Sequence, residues 1–231
     1  MLGVAEISSL FLAVLICWIF SVCVHEFAHA VVAYLGGDRS VVERGYLHFN
    51  IFAFVNPVTS LLMPALFLFM GGLPLPGGAV YIDEHSLRSP VWRSLVAAAG
   101  PASNFVLFLI LAALVHPSTG LVDLTSFKQP TWVMLLGAMT VLELFSVLFN
   151  LIPVPPLDGY GIIEPYLPPD VREKARSMGW VGLFVLFFAF FQFPGLMARF
   201  QDLIDAIMRL FGLPFESTWR FYNVALFGSS Q

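Results

Sequence analysis

The sequence predicts an all-α polytopic membrane protein. It should have about four full transmembrane helices, a re-entrant segment broken by Pro and Gly that carries a short β-hairpin, and a C-terminal amphipathic helix. Three observations predict this. Of the 231 residues, 58% are hydrophobic and 11% are charged, whereas a soluble domain carries about 25% charged residues. Mean hydropathy is +0.85. The apolar residues fall into long runs, and roughly 20 in a row suffice to cross a bilayer. The few charges sit between those runs, so the net charge of -4 says little about partners. No basic tract is present to bind nucleic acid.

The first run covers residues 7–35 and is stopped by Gly36 and Gly37. No Lys or Arg precedes it and no small-residue cleavage site follows, so a cleaved signal peptide is not expected. Cys17 and Cys23 are six apart on this helix, too far to bridge, and are read as packing residues. Residues 38–50 read as a loop. Residues 51–72 are apolar but interrupted by Pro57 and Pro64, and they lead into Gly71-Gly72-Leu73-Pro74-Leu75-Pro76-Gly77-Gly78. Proline removes a backbone donor and glycine weakens a helix. Such backbone is tolerated at membrane depth where it lines protein or a wet cavity. Residues 79–82 are expected to form an exposed strand.

Residues 91–115 and 131–151 are the next spanning runs, the latter with Glu143 inside it. Residues 179–193 form a last hydrophobic helix, ended by Pro194 and Gly195. Residues 196–211 mix Arg199, Asp202, Asp205 and Arg209 with apolar positions, the pattern of an amphipathic helix at the membrane interface. Residues 229–231 are expected to fray.

The chemistry concentrates in His25-Glu26-Phe27-Ala28-His29. Residues i and i+4 share a helix face, so His25 and His29 can offer two imidazole nitrogens to one metal ion. Glu26 lies beside them, where a carboxylate can take a proton from water. A tetrahedral catalytic zinc needs a third protein ligand. Asp158 is the best candidate: it follows the proline-broken stretch Pro153-Val154-Pro155-Pro156, and a carboxylate buried at membrane depth needs a partner.

At these residues the chain resembles the site-2 proteases, the intramembrane zinc metalloproteases. His25 to His29 match the family's HExxH motif. Asn150 to Gly159 resemble its second motif, an asparagine, prolines and then Asp-Gly. Gly100-Pro101-Ala102-Ser103-Asn104 resembles a third, Gly-Pro-x-x-Asn. The resemblance covers residues 7–160. It implies one Zn²⁺ per chain held by His25, His29 and Asp158, with Glu26 as general base. It also implies that Asn150 and Asn104 hold substrate or its oxyanion, and that the hairpin around Gly77 and Gly78 presents an edge strand to a transmembrane substrate. No segment is long enough for a PDZ domain, so the chain looks like a compact branch of the family. The expected organisation is a single membrane-embedded protease domain over 1–231, with the catalytic core in 7–160 and C-terminal helices in 161–231.

If 51–82 enters and leaves on one side, the three motifs reach similar depth. Arg39, Arg44, Arg88, Arg93, Arg172, Lys174 and Arg176 then share one face. The positive-inside rule makes that face cytoplasmic, so the site should open toward the cytoplasmic half of the cell membrane. Two other readings stand beside hydrolysis: a metal-dependent transporter, and a non-proteolytic protein that retains membrane clients. Glu26, which is not needed as a ligand, favours hydrolysis over the first. The intact ligand set favours it over the second.

Overall fold

The computed structural model describes residues 4–48, 80–119, 121–122 and 129–227. Gly77, Gly78 and the greater part of the expected re-entrant hairpin lie outside the described residues. No strand occurs among the described residues, and 80–82, expected as an exposed strand, are irregular. The Val80 N–H is engaged by a side chain, the carboxylate of Glu26, at 3.0 Å.

The core is built from three long helices: α1 (Val4–Gly36), α3 (Pro90–Val115) and α4 (Thr131–Asn150). Each is long and apolar enough to cross a membrane. The protein is therefore a multi-pass membrane protein. Helix α1 ends where Gly37 adopts φ +122°, a conformation that favours glycine, and where Asp38 N–H closes back on Ala33 C=O at 3.0 Å. The short α2 (Ser40–Glu43) follows.

His25 meets Asn104 while His29, one turn on, meets Val96. Helices α1 and α3 are therefore antiparallel. Asn104 meets Glu143, and Ser94 meets Ile162 beyond the end of α4, so α3 and α4 are antiparallel too. Helix α4 is the inner one: 78% of its spanning window is buried, against 33% for α3. The outer face of α3 exposes Val91, Leu95, Val106, Leu109, Ile110 and Leu114. Apolar side chains in that arrangement suit lipid, not water.

Both ends of the 39–88 segment return to one place. Arg88 N–H donates to Gly36 C=O at 3.0 Å, and Asp83 N–H donates to the buried Asp38 carboxylate at 2.8 Å. A small apolar cluster of Ala33, Val41, Leu87 and Val96 packs beneath that junction. The chain thus leaves and re-enters the bundle at the same end, the condition for the three motifs to share a depth.

Beyond α4 the chain turns through 151–157 into α5 (Asp158–Ile163), then α6 (Pro169–Met178) and α7 (Trp180–Gln192). The expected fourth full span, 179–193, is present as a helix but is too short to cross alone. Gly179 bends α6 against α7 by 67° across the break, and α7 has 13 residues, about 20 Å of helix against a hydrocarbon core of about 30 Å. The count is three long spans, with a fourth only if the bent pair is taken as one.

Pro194 opens α8 (Pro194–Leu210), the expected amphipathic helix. Its apolar stripe is covered by protein: Ile204 and Met208 are fully buried, and Phe200 stacks edge-on against Phe145 at 5.2 Å. Helix α9 (Phe215–Phe227) was not expected. It buries Thr218, Phe221, Tyr222 and Ala225, the i, i+3, i+4, i+7 set of one helical face, with Phe221 against Gly137 of α4.

Candidate metal centre

Helix α1 places His25 and His29 one turn apart on its inner face, both buried. Asp158 arrives from beyond the end of α4, which lies at the same end of the bundle as the end of α1, and sits in the first turn of α5. Gly159 makes that approach possible. A Cβ there would lie 2.2 Å from Leu151 C=O, so only glycine lets α5 fold back against the end of α4.

The result is a tight triangle. The two Nε2 atoms are 3.0 Å apart. Asp158 Oδ2 lies 3.1 Å from His25 Nε2, and Oδ1 lies 3.4 Å from His29 Nε2. Four ligands at about 2.0–2.1 Å from a zinc ion define a tetrahedron with edges of about 3.4 Å. No other group of three His, Cys, Asp or Glu side chains with metal-binding spacing occurs among the described residues.

Proton placement argues in the same direction. His25 Nδ1 faces Asn104 Oδ1 at 2.5 Å, and His29 Nδ1 faces the Val96 C=O at 2.6 Å. Both acceptors require Nδ1–H, which leaves a bare lone pair on each Nε2. Two lone pairs and a carboxylate then converge with no proton between them. Asp158 Oδ2 is buried and receives no hydrogen bond. A metal cation in that space satisfies all three groups at once.

Gly100 supplies the room. A Cβ built on it would sit 2.4 Å from both Nε2 atoms, inside the space the ligands surround. Pro101 lies within α3 and has no N–H for the carbonyl of Ala97, so that turn lacks one rung. The neighbouring Val96 carbonyl is the one that holds His29.

Glu26 is buried, and its Oε2 accepts from Val80 N–H at 3.0 Å. It is not among the close pairs of His25, His29 and Asp158. Asn104 sits behind His25, with both ends of its amide engaged. Asn150 ends α4, buried, with its Nδ2 donating to nothing. A buried free donor of this kind is expensive unless something binds it.

Two residues of the surroundings escaped the sequence reading. Ser21, one turn before His25 on the same face, accepts from Asn104 Nδ2 at 2.9 Å. Its spacing of four from His25 was the available signal. Asp38 is fully buried and organises the junction, accepting from Ser40 N–H and Asp83 N–H at 2.8 Å each. Outside the membrane helices, the Ser86 hydroxyl and then the His85 N–H hold the Asp83 carboxyl below the usual carboxylate range.

The sequence pattern of Peptidase family M50 matches residues 13–131. That stretch includes the paired histidines and Asn104 and stops before Asp158. A protein of Mycolicibacterium smegmatis named "Putative zinc metalloprotease Rip2" is 36% identical over 180 residues, 76% of this chain and 66% of its own. Its namesake in Mycobacterium tuberculosis H37Rv is 36% identical over 187 residues, 79% of this chain and 69% of its own. "Putative zinc metalloprotease YwhC" of Bacillus subtilis is 34% identical over 210 residues, 86% of this chain and 90% of its own. The chain thus spans about two thirds of the length of the Rip2 proteins and nearly all of YwhC. No solved structure matches it.

Proposed function

The chain belongs to peptidase family M50, the site-2 proteases, and on that premise we propose that it is an intramembrane zinc endopeptidase cutting peptide bonds in or beside transmembrane segments. The observation that carries the reading is the convergence of two imidazole lone pairs and an unbonded carboxylate oxygen around the space facing Gly100. His25, His29 and Asp158 hold the ion. A zinc ion there supplies Lewis acidity to the scissile carbonyl and to water.

The remaining steps belong to side chains of this chain. Glu26 takes the proton of the attacking water and returns it to the leaving amine. The Val80 N–H orients the Glu26 carboxylate in the meantime. The free Nδ2 of Asn150 donates to the scissile carbonyl oxygen as it gains charge. Gly77 and Gly78, just upstream of Val80, belong to the substrate path. A helical substrate hides its carbonyls in i to i+4 bonds, so it must unwind before it is cut.

The polar side of the bundle supports a cytoplasmic opening in the cell membrane. Arg93 and Arg176 both reach Glu84 at the junction that holds the ends of the 39–88 segment, at 3.9 and 2.7 Å. Arg44 lies 4.4 Å over the Tyr81 ring there. A cluster of cations at one end of the bundle is what the positive-inside rule places in the cytoplasm. One membrane-embedded domain, catalytic over 7–160 and completed by helices over 161–231, accounts for the packing of α9 on α4. A transporter reading is less favoured, since Glu26 is spared from the ligand set.

The test is cleavage of single-span model substrates in proteoliposomes. Wild type should cut, and a zinc chelator should stop it. Glu26→Gln should bind one equivalent of zinc yet cut about 10²–10⁴-fold more slowly. Equal cleavage by Glu26→Gln would overturn the assignment of the base, and chelator-resistant cleavage would overturn the metal.

A further inference from the structure

Glu143 is buried in the middle of α4, 2% exposed, and has no part in the steps above. A carboxylate at that depth is costly and marks a functional position by default. Its partners lead to the metal. Asn104 Nδ2 donates to Glu143 Oε2 at 2.7 Å and to Ser21 Oγ at 2.9 Å. Asn104 Oδ1 then faces His25 Nδ1 at 2.5 Å.

The two histidines differ in how their protons are fixed. His29 faces a backbone carbonyl, which can only accept. His25 faces a primary amide, which can present either an acceptor or a donor. Turned the other way, Asn104 would offer NH₂ to Nδ1. The His25 proton would then move to Nε2, and the lone pair that faces the metal space would be lost. Something must choose the orientation of the amide. Ser21 cannot, because a hydroxyl donates or accepts as its neighbours require. A carboxylate can, because its oxygens accept.

We propose that Glu143 is a positioning residue for the metal centre: by accepting from Asn104 it orients the Asn104 amide, which keeps the His25 proton on Nδ1 and its Nε2 free to bind zinc. The polarity runs one way, from His25 Nδ1–H to Asn104 Oδ1, and from Asn104 Nδ2 to Glu143. This inference rests on the zinc reading and adds to it a residue 39 positions from Asn104 that touches neither metal nor substrate.

The experiment is zinc affinity of the purified full chain in detergent, by competition with a chromophoric chelator, alongside the thermal unfolding midpoint of the zinc-free protein. Wild type should bind one equivalent. Glu143→Gln has nearly the same shape, but its amide can donate to Asn104 Oδ1 and so stabilises the wrong orientation. It should weaken zinc binding about 10–100-fold, the usual effect of losing a group that orients a ligand. The decisive variant is Glu143→Gln with Asn104→Asp. Position 104 then only accepts, from both His25 and Gln, and zinc affinity should return to within a few-fold of wild type.

Unchanged affinity in Glu143→Gln overturns the proposal. Weakened affinity that the double substitution fails to restore also overturns it, and assigns Glu143 to packing alone. Should the single variant not fold, the double variant still decides, by matching or missing wild-type affinity. Failure of wild type to bind zinc overturns the metal reading itself, and is told apart from the other failures because it precedes any substitution.

Discussion

The pocket around His25 and the seam between α4 and α9 are equally buried and are held by opposite means. In the pocket every contact is directional. His25, His29, Asn104, Ser21 and Glu143 each face a named donor or acceptor at 2.5–3.0 Å. In the seam packing by shape leads: Phe221 fills the notch left by Gly137, and Tyr222, Val224 and Ala225 are buried on the same helix. The difference teaches what each region tolerates. A seam built on shape loses stability in proportion to the volume removed. A pocket built on direction fails at once when one group is misplaced, while the fold around it stands.

The sharpest break in that comparison comes from the smallest change. Gly100→Ala adds one methyl group at 2.4 Å from both Nε2 atoms. Bound zinc should drop from one equivalent to a small fraction of that, by metal analysis, and cleavage should fall by roughly 10³-fold or more, the scale of losing a catalytic metal. The zinc-free protein should still fold, losing about 1–3 kcal/mol of stability to overpacking. Retained zinc in Gly100→Ala would mean that the ion sits elsewhere.

Phe221→Ala is the opposite case. It should cost about 3–5 kcal/mol of stability, as large-to-small changes in packed cores do. Zinc affinity of the folded fraction should stay within a factor of two of wild type. A matching loss of affinity would show that the seam supports the pocket and that the two regions are one unit.

The smallest effect is expected at the surface. Arg176 bridges Glu84 and Glu164, linking α6 to the junction beside the pocket. Its side chain is half exposed, so Arg176→Ala should cost under about 1 kcal/mol. Cleavage should change less than three-fold. A larger drop would make the bridge a latch on the pocket and not a decoration of it.

The same contrast explains what the sequence made legible. His25, Glu26 and His29 are readable because a helix fixes i and i+4 on one face whatever surrounds it. Asp158 is readable because a carboxylate after a proline-broken run has few other uses. The three long helices are readable from apolar length, and their ends agree with the predicted runs within a few residues. Gly100 is not legible as part of the metal space, since nothing along its own helix says that two imidazoles lie across from it. Glu143 was noticed as an intramembrane charge and left without a role, because its partner Asn104 is on another helix. Helix α9 was missed for a related reason. Its buried face, Thr218, Phe221, Tyr222 and Ala225, mixes polar with apolar residues, and only the groove of α4 reveals it as a packing face. The fourth span, expected over 179–193, is present as a helix over Trp180–Gln192, but its 13 residues do not reach the length of a span alone.

The space in front of Gly100 bears on how such chains diverge. A lineage can abandon catalysis without touching His25, Glu26, His29 or Asp158, by a single codon change that puts a methyl group where the ion would rest. Its ligand motif would still read as intact. Among similar sequences, a side chain at the position of Gly100 would therefore distinguish a silent scaffold from a working peptidase, where a count of metal ligands would not.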